Sequence, residues 1–432
     1  MVADQGPKLR VAVIGAGIVG ASTALELLRD GHHVMIIEPN DPGGRQAASY
    51  GHGCWISPAS VVPMSMPGLW KRLPGYLLNP LGPLVISWRH ILGLSPWIIR
   101  FLLAGATMPR VERTAKALAT LLRDSPERHV QYAQSVEQSA LIRREGLLYV
   151  YPDRAAFEQE KLAWHLRHLT GLVWQELDEP GLKAREPALS RHYRFGVLVR
   201  EGAHCTDPGR YVAALVAACV AGGAQHVRAK ATGLVLEGRA LKAVRTDQGD
   251  IICDRAVIAA GIWSKTLARM AGDHIPLESE RGYHAVIAAA GNGPVHPLMP
   301  ADGKMANTPT DNGLRLAGQV ELATIDAPAN WKRVDILLDH ARRAYPALPA
   351  DFAISVDRWM GHRPSTPDGL PVIGMASGSK QVIYAFGHGH IGFATGPISG
   401  RLAADLVSGK PPLRDLAPFS PRRFRLSRNP GR

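Results

Sequence analysis

The sequence predicts an α/β protein in which a doubly wound, nucleotide-binding sheet is joined to a second domain. Three observations carry this. An apolar strand near residue 10 runs into a glycine-rich turn and a helix. A second apolar run ends on an acidic residue, Glu38. The chain has 432 residues, more than one hydrophobic core ordinarily organises.

Val11, Ala12, Val13 and Ile14 form the first strand, a continuous apolar run of the kind covered on both faces in a parallel sheet. Gly15, Gly17 and Gly20 follow with G-x-G-x-x-G spacing, and Ile18 and Val19 between them open the helix. The first glycine permits the tight turn, the second lets backbone approach a pyrophosphate, and the third lets helix and strand pack closely. The free amide groups at the helix start favour phosphate. Ala24, Leu25, Leu27 and Leu28 supply the helix's buried face, and Gly31 precedes a second strand, Val34 to Ile37. Glu38 stands at its tip, followed by Pro39. A carboxylate there suits the ribose hydroxyls of an adenosine and repels a 2′-phosphate, so an ADP-containing dinucleotide is expected.

No second glycine motif of this kind appears. A return to the nucleotide domain is expected over Ala224 to Gly261, with strands at Leu234–Leu236 and Ala256–Ala259. It ends in Ala260-Gly261 and Trp263, with Thr232 also assigned to the cofactor. A third visit is expected from Gly361 to Gly400. Repeated returns favour FAD over NAD.

Hydrophobic residues make up 46% and charged residues 20%, the balance of a soluble globular protein. The four cysteines show neither Cys-x-x-Cys pairing nor metal-ligand spacing, so no metal site and a reducing, cytoplasmic setting are expected. The start of the chain shows no signal-peptide pattern. The net charge of +13 comes without any helix-turn-helix, zinc-finger or basic-aromatic strand pattern, which argues against nucleic acid. Part of that charge is a C-terminal cluster at Arg422, Arg423, Arg425, Arg428 and Arg432, read as a frayed basic tail. Leu81 to Gly105 is unusually apolar and carries Trp88 and Trp97, but its charge-free run between Arg89 and Arg100 is too short for a membrane span. It reads either as a buried helix pair, which is preferred, or as an element dipping into a membrane surface.

Two late blocks, Trp359 through Pro371 and Phe386 through Gly392, join the N-terminal unit and Ala260-Gly261 in a wider pattern. Together they resemble the D-amino-acid-oxidase superfamily of FAD-dependent oxidoreductases over nearly the whole chain. Val61 through Gly68 and Arg281-Gly282-Tyr283-His284 are similar, more narrowly, to bacterial D-amino-acid dehydrogenases and glyphosate oxidoreductase. The resemblance implies a Rossmann-like FAD domain assembled from residues 8–60, 200–270 and 357–415. A second α+β substrate domain on a mixed sheet would take 61–199 and 271–356, leaving a basic tail at 416–432. Helix-rich 111–170 belongs to the second domain, with amphipathic spacing from Ala115 to Leu122.

The same resemblance implies roles. Arg363 binds the substrate carboxylate beside the cofactor, a task suited to a planar, permanently charged fork of donors. Gly387, His388, Gly389, His390, Ile391 and Gly392 cross beside the flavin and open a helix, Phe393 to Leu406, whose N-terminus stabilises the reduced ring. His390 contacts substrate or tunes the flavin. Tyr283 and His284 lie on a strand reaching Ile287, and Glu321 ends the strand Leu314 to Val320. Strand alternation lets only one of Tyr283 and His284 face the substrate, and Tyr283 and Glu321 are preferred. Ser49, Gly51, His52 and Gly53 form a loop approaching the flavin, although His52-Gly53-Cys54 stands where relatives have Asn-Ala-Gly. Non-covalent FAD is expected, with a His52 linkage the alternative.

The activity expected is oxidation of the C–N bond of a small amino acid, hydride passing to flavin and the imine hydrolysing to an oxo acid. A D-amino-acid dehydrogenase comes first. An oxidase of N-substituted glycines is the alternative, with a second anionic group held by His284, Lys304, His362 or His390. A structural FAD-binding subunit of a larger complex is the reading from another class. The electron acceptor is left between a quinone and oxygen, with peripheral membrane contact attached to the first.

Overall fold

The computed structural model describes residues 7–71, 84–86, 91–288, 290–353 and 356–425. The chain divides into two compact units: Met1–Gly44, Val212–Glu278 and Pro364–Arg432 form the first, and Arg45–Tyr211 with Ser279–Arg363 the second.

The first unit is built on a six-stranded sheet in the order Gln225–Val227, His33–Ile37, Arg10–Ile14, Arg255–Ile258, Val382–Phe386, Val372–Met375. The first five strands run parallel and the last is antiparallel. Val11, Ala12, Val13, Val257 and Ile383 are fully buried, as strands covered on both faces require. Helix Ile18–Arg29 packs against helix Gly392–Ser408 at a spacing only small residues allow. A Cβ on Gly400 would stand 2.6 Å from the Ser22 carbonyl carbon, and one on Gly396 2.6 Å from Ile18.

Two expectations change here. Leu234–Leu236 lies in a separate three-stranded antiparallel sheet, Ala231–Glu237, Ala240–Thr246 and Gly249–Ile252. The chain instead returns to the parallel sheet through Gln225–Val227, a strand too short and polar to read as one. Residues up to 425 of the expected tail are also not frayed: Phe419 is fully buried, and Arg423 bonds Asp368 and the Leu370 carbonyl. Arg428 and Arg432 lie outside the described residues.

The second unit holds a mixed sheet in which Val356–Ser365, Glu278–Ile287, Gly313–Leu322, Ala306–Thr310 and Leu298–Pro300 are successive neighbours. The sheet then continues through Leu147–Tyr151, Phe195–Val199 and Gln175–Leu177. Helix Lys332–Ala344 covers one face, burying Val334, Leu337 and Ala341 against Tyr283, Ala285, Leu314 and Leu316. A small sheet pairs Trp55–Ile56 and Ile142–Arg143 with Ala203–Cys205. Residues 45–60 and 200–211, assigned to the FAD domain by resemblance, therefore pack in this unit.

Of the apolar stretch, 81–83 and 87–90, including Trp88, lie outside the described residues. The rest forms a short strand, Leu84–Ile86, paired in parallel with Val320, Glu321 and Leu322, and one helix, Ile91–Ala104, with Leu94, Trp97 and Ile98 buried against Leu322, while Ile99 and Leu103 face outward. Among the described residues no helix is long and apolar enough to cross a membrane.

Candidate active site

The glycine turn of the first unit is tight for the reasons its spacing suggests. Gly15 has φ of 101°, and a Cβ there would stand 2.7 Å from the Ala259 carbonyl oxygen. A Cβ on Gly20 would overlap the Gly15 carbonyl. Gly17 sits at the N-cap with no side-chain cap, so the first amides of the helix are left for a ligand. Glu38 accepts hydrogen bonds from the Ala16 and Asn40 amides at 3.1 and 3.2 Å, which fixes its carboxylate beside the turn. These residues fit an ADP-containing dinucleotide such as FAD. Pro39 follows, exposed.

Ala260 and Gly261 stand just after the Arg255–Ile258 strand, Gly261 in the left-handed region at φ 56°, with Trp263 half-exposed beyond it. Thr232 is placed elsewhere, on the exposed antiparallel sheet with its hydroxyl on the Arg245 carbonyl. The residue that sequence reasoning missed is Val227, whose carbonyl accepts the Glu38 amide at 3.1 Å.

The late glycine block forms a sharp turn and a short 3-10 segment, Gly389–Ile391, before helix Gly392–Ser408. Gly387 and Gly389 both take positive φ, 82° and 53°. Its two histidines differ. His388 is buried, with Nε2 2.9 Å from the Ser399 hydroxyl, and burial holds its pKa down to about 3. It is a neutral structural ring. His390 is exposed.

In the second unit the strand Glu278–Ile287 sorts its residues by face. Tyr283 and Arg281 point to the face covered by Lys332–Ala344. There the Tyr283 hydroxyl donates to Glu321 at 2.5 Å and accepts from the Asn330 amide, and Arg281 donates to the same Glu321 oxygen at 3.2 Å. Burial and this carboxylate push the tyrosine pKa up to about 12.

Gly282 and His284 occupy the other face, which Arg363 and Trp359 of the neighbouring strand share. A Cβ on Gly282 would stand 2.4 Å from the Arg363 guanidinium, and the His284 ring stacks on Trp359 at 5.0 Å and 16°. The structure thus brings His284, not Tyr283 or Glu321, to the side of Arg363. The preferred pair instead forms a buried polar cluster behind the sheet.

Arg363 is partly exposed, and burial of its inner side lowers its pKa from the usual arginine value while Glu280 opposes the change. Its Nη1 donates to the Gln319 carbonyl at 3.3 Å. That leaves the Nε–H and Nη2–H edge, the two-point geometry a carboxylate takes.

His284 is fully buried, with Nδ1 3.4 Å from the Gly51 carbonyl. A carbonyl only accepts, so this assigns the proton to Nδ1 and leaves Nε2 as an acceptor with no hydrogen-bond partner among the described residues. Burial, helped by the charges of Arg315, Arg45 and Arg363, holds the ring well below its usual pKa.

Ser49, Gly51, His52 and Gly53 all fall in the second unit. Arg315 fixes their loop from the same sheet face, donating to the Tyr50 and His52 carbonyls at 2.8 and 3.1 Å. A Cβ on Gly51 would collide with the Trp359 ring. Lys304 and His362, expected to supply extra positive charge, are engaged. Lys304 pairs with Glu160. His362 meets the Ser279 hydroxyl at 2.8 Å, and its pKa is lowered by burial.

A family model described as FAD dependent oxidoreductase matches residues 10–406. The D-amino-acid oxidase of Bradyrhizobium diazoefficiens is 50% identical over 415 residues, covering 96% of this chain and 98% of that protein. The D-amino acid dehydrogenase 2 of Ralstonia nicotianae is 31% identical over 425 residues, covering 95% and 99%. Among solved structures, glycine oxidase from Geobacillus kaustophilus superposes with a TM-score of 0.72 at 21% identity, covering 97% of this chain and 99% of that one. The fold, the glycine-rich turn with its acidic partner and the matched length agree: the chain belongs to the DAO family of FAD-dependent oxidoreductases.

Proposed function

We propose that the protein oxidises the carbon–nitrogen bond of a D-amino acid, with Arg363 holding the substrate carboxylate. The observation that carries this is the partly exposed guanidinium of Arg363, which among the described residues is tethered by Nη1 and offers its Nε/Nη2 edge. Bound FAD would supply the acceptor for a hydride from the α carbon, and the imine product would hydrolyse to an oxo acid and ammonia. Gly15, Gly17, Ile18, Val19, Gly20, Glu38 and Val227 would hold its adenosine and pyrophosphate. Ala260, Gly261 and the Gly387–Gly392 turn would complete the cofactor's binding.

His284, its neutral ring fully buried and stacked on Trp359, backs this face beside Arg363 without reaching the substrate itself, so positioning of the carboxylate carries most of the rate. His390 lies on the exposed side of the glycine turn as a further ligand contact.

The D-amino-acid names of the curated relatives support this substrate class, and the 50% identical oxidase favours oxygen over a quinone as acceptor. Glyphosate-like substrates are disfavoured, because Lys304 and His362 are already committed to Glu160 and Ser279. Peripheral membrane contact through the outward-facing Ile99 and Leu103 accompanies the quinone alternative, and binding to anionic vesicles tests it. Anaerobic bleaching of the flavin by a panel of D-amino acids, L-amino acids and N-alkyl glycines tests the substrate class. Bleaching by D-amino acids is expected; bleaching by N-alkyl glycines alone contradicts the proposal.

A further inference from the structure

We propose that Gln319 is a positioning residue that aims the Arg363 fork and couples it to Arg333 behind the sheet. The proposal rests on Arg363 being the carboxylate anchor. In the pairing of Gly313–Leu322 with Glu278–Ile287, Gly282 faces Val320 and Tyr283 faces Gly318. Gln319 is left between them without a Cα partner, as the extra residue of a β-bulge. Its φ is 60°, the left-handed region that a glycine would enter freely and a glutamine enters under strain.

Both polar ends of this one residue are in use. Its main-chain carbonyl accepts Arg363 Nη1 at 3.3 Å, and its side-chain Oε1 accepts Arg333 Nη1 at 2.9 Å. Arg333 is fully buried on helix Lys332–Ala344, the opposite face from Arg363. Gln319 thus links it to the substrate side. The bulge rotates the Gln319 carbonyl toward Arg363, while Arg333 fixes the amide and so stops the bulge from relaxing. With Nη1 held, the remaining guanidinium edge keeps one orientation; without that hold it turns about its own bonds and the two-point grip is lost. Strain at a residue that touches no reacting atom is thereby put to use in binding.

The test uses the FAD-loaded enzyme and benzoate, a carboxylate with no amine to oxidise, read by perturbation of the flavin spectrum. KM and kcat for the best D-amino acid are measured alongside. Gln319→Gly suits the backbone but removes the amide, so relief of strain is set against the lost bond to Arg333 and the variant is expected to fold as the parent does. Its benzoate Kd and substrate KM should rise about fivefold or more, with kcat changed much less. Arg333→Met, a change at a residue out of substrate reach, should weaken benzoate in the same direction. Gln319→Asn keeps an amide and tolerates the left-handed backbone, so it should lie closer to the parent than Gln319→Gly. Either Gln319→Gly or Arg333→Met binding benzoate within twofold of the parent overturns the inference, as does failure of Gln319→Gly to fold. Arg363→Ala separates the two levels. Unchanged benzoate binding there removes the anchor reading itself, whereas its loss beside unaffected Gln319→Gly and Arg333→Met removes only this inference.

Discussion

Gly282 lies so close to Arg363 that a methyl group in place of its hydrogen would stand 2.4 Å from the guanidinium carbon. The arginine is placed where it is because this position has no side chain. Gly282→Ala is therefore expected to displace the fork and lower kcat/KM by about a hundredfold, mostly through KM, with the fold intact by circular dichroism. Steady-state kinetics with the preferred D-amino acid checks this.

Tyr283→Phe separates a structural hydroxyl from a catalytic one. The hydroxyl is buried and donates to Glu321, so its loss is expected to cost about 1–2 kcal/mol in a denaturant titration. Because it faces away from Arg363, kcat/KM should change less than about threefold, where loss of a general acid or base would cost about a hundredfold or more.

His388 gives the protein an acid limit. Its ordinary pKa of 6.5 is depressed by burial to about 3 in the fold, so between those values the unfolded chain binds a proton that the native state refuses. Stability is full above about pH 6.5 and falls as pH drops toward 3, with a slope approaching about 1.4 kcal/mol per pH unit. His388→Gln should flatten the dependence of the urea midpoint between pH 7 and pH 5, even if it lowers the midpoint at pH 7 by removing the bond to Ser399.

Glu38 accepts from two backbone amides and presents its carboxylate beside the glycine turn. Glu38→Ala should weaken FAD binding by about tenfold or more, through loss of the ribose contact and of the turn's support. Flavin release on dilution and ultrafiltration measures it.

Much of the nucleotide half was legible because each of its parts has a local cause. The turn at Gly15 demands positive φ, the approach at Gly20 excludes a side chain, and a fully buried parallel strand reads as an unbroken apolar run. Gln225–Val227 escaped notice because a three-residue strand held by a neighbour carries no periodicity of its own. The substrate face was half legible. Alternation announced that Tyr283 and His284 must part company, but not which would face Arg363, since that depends on which side helix Lys332–Ala344 covers. Gln319 and Arg333 gave no signal at all: a bulge arises from pairing between distant strands, and neither residue type marks it.

Anaerobic reduction of the flavin by the preferred D-amino acid, compared between the parent and Arg363→Ala, tests the central claim most directly. Full bleaching in the parent and at least a tenfold slower reduction at equal substrate in Arg363→Ala, with FAD still bound, is the result predicted. Reduction at the parental rate without the guanidinium would contradict it.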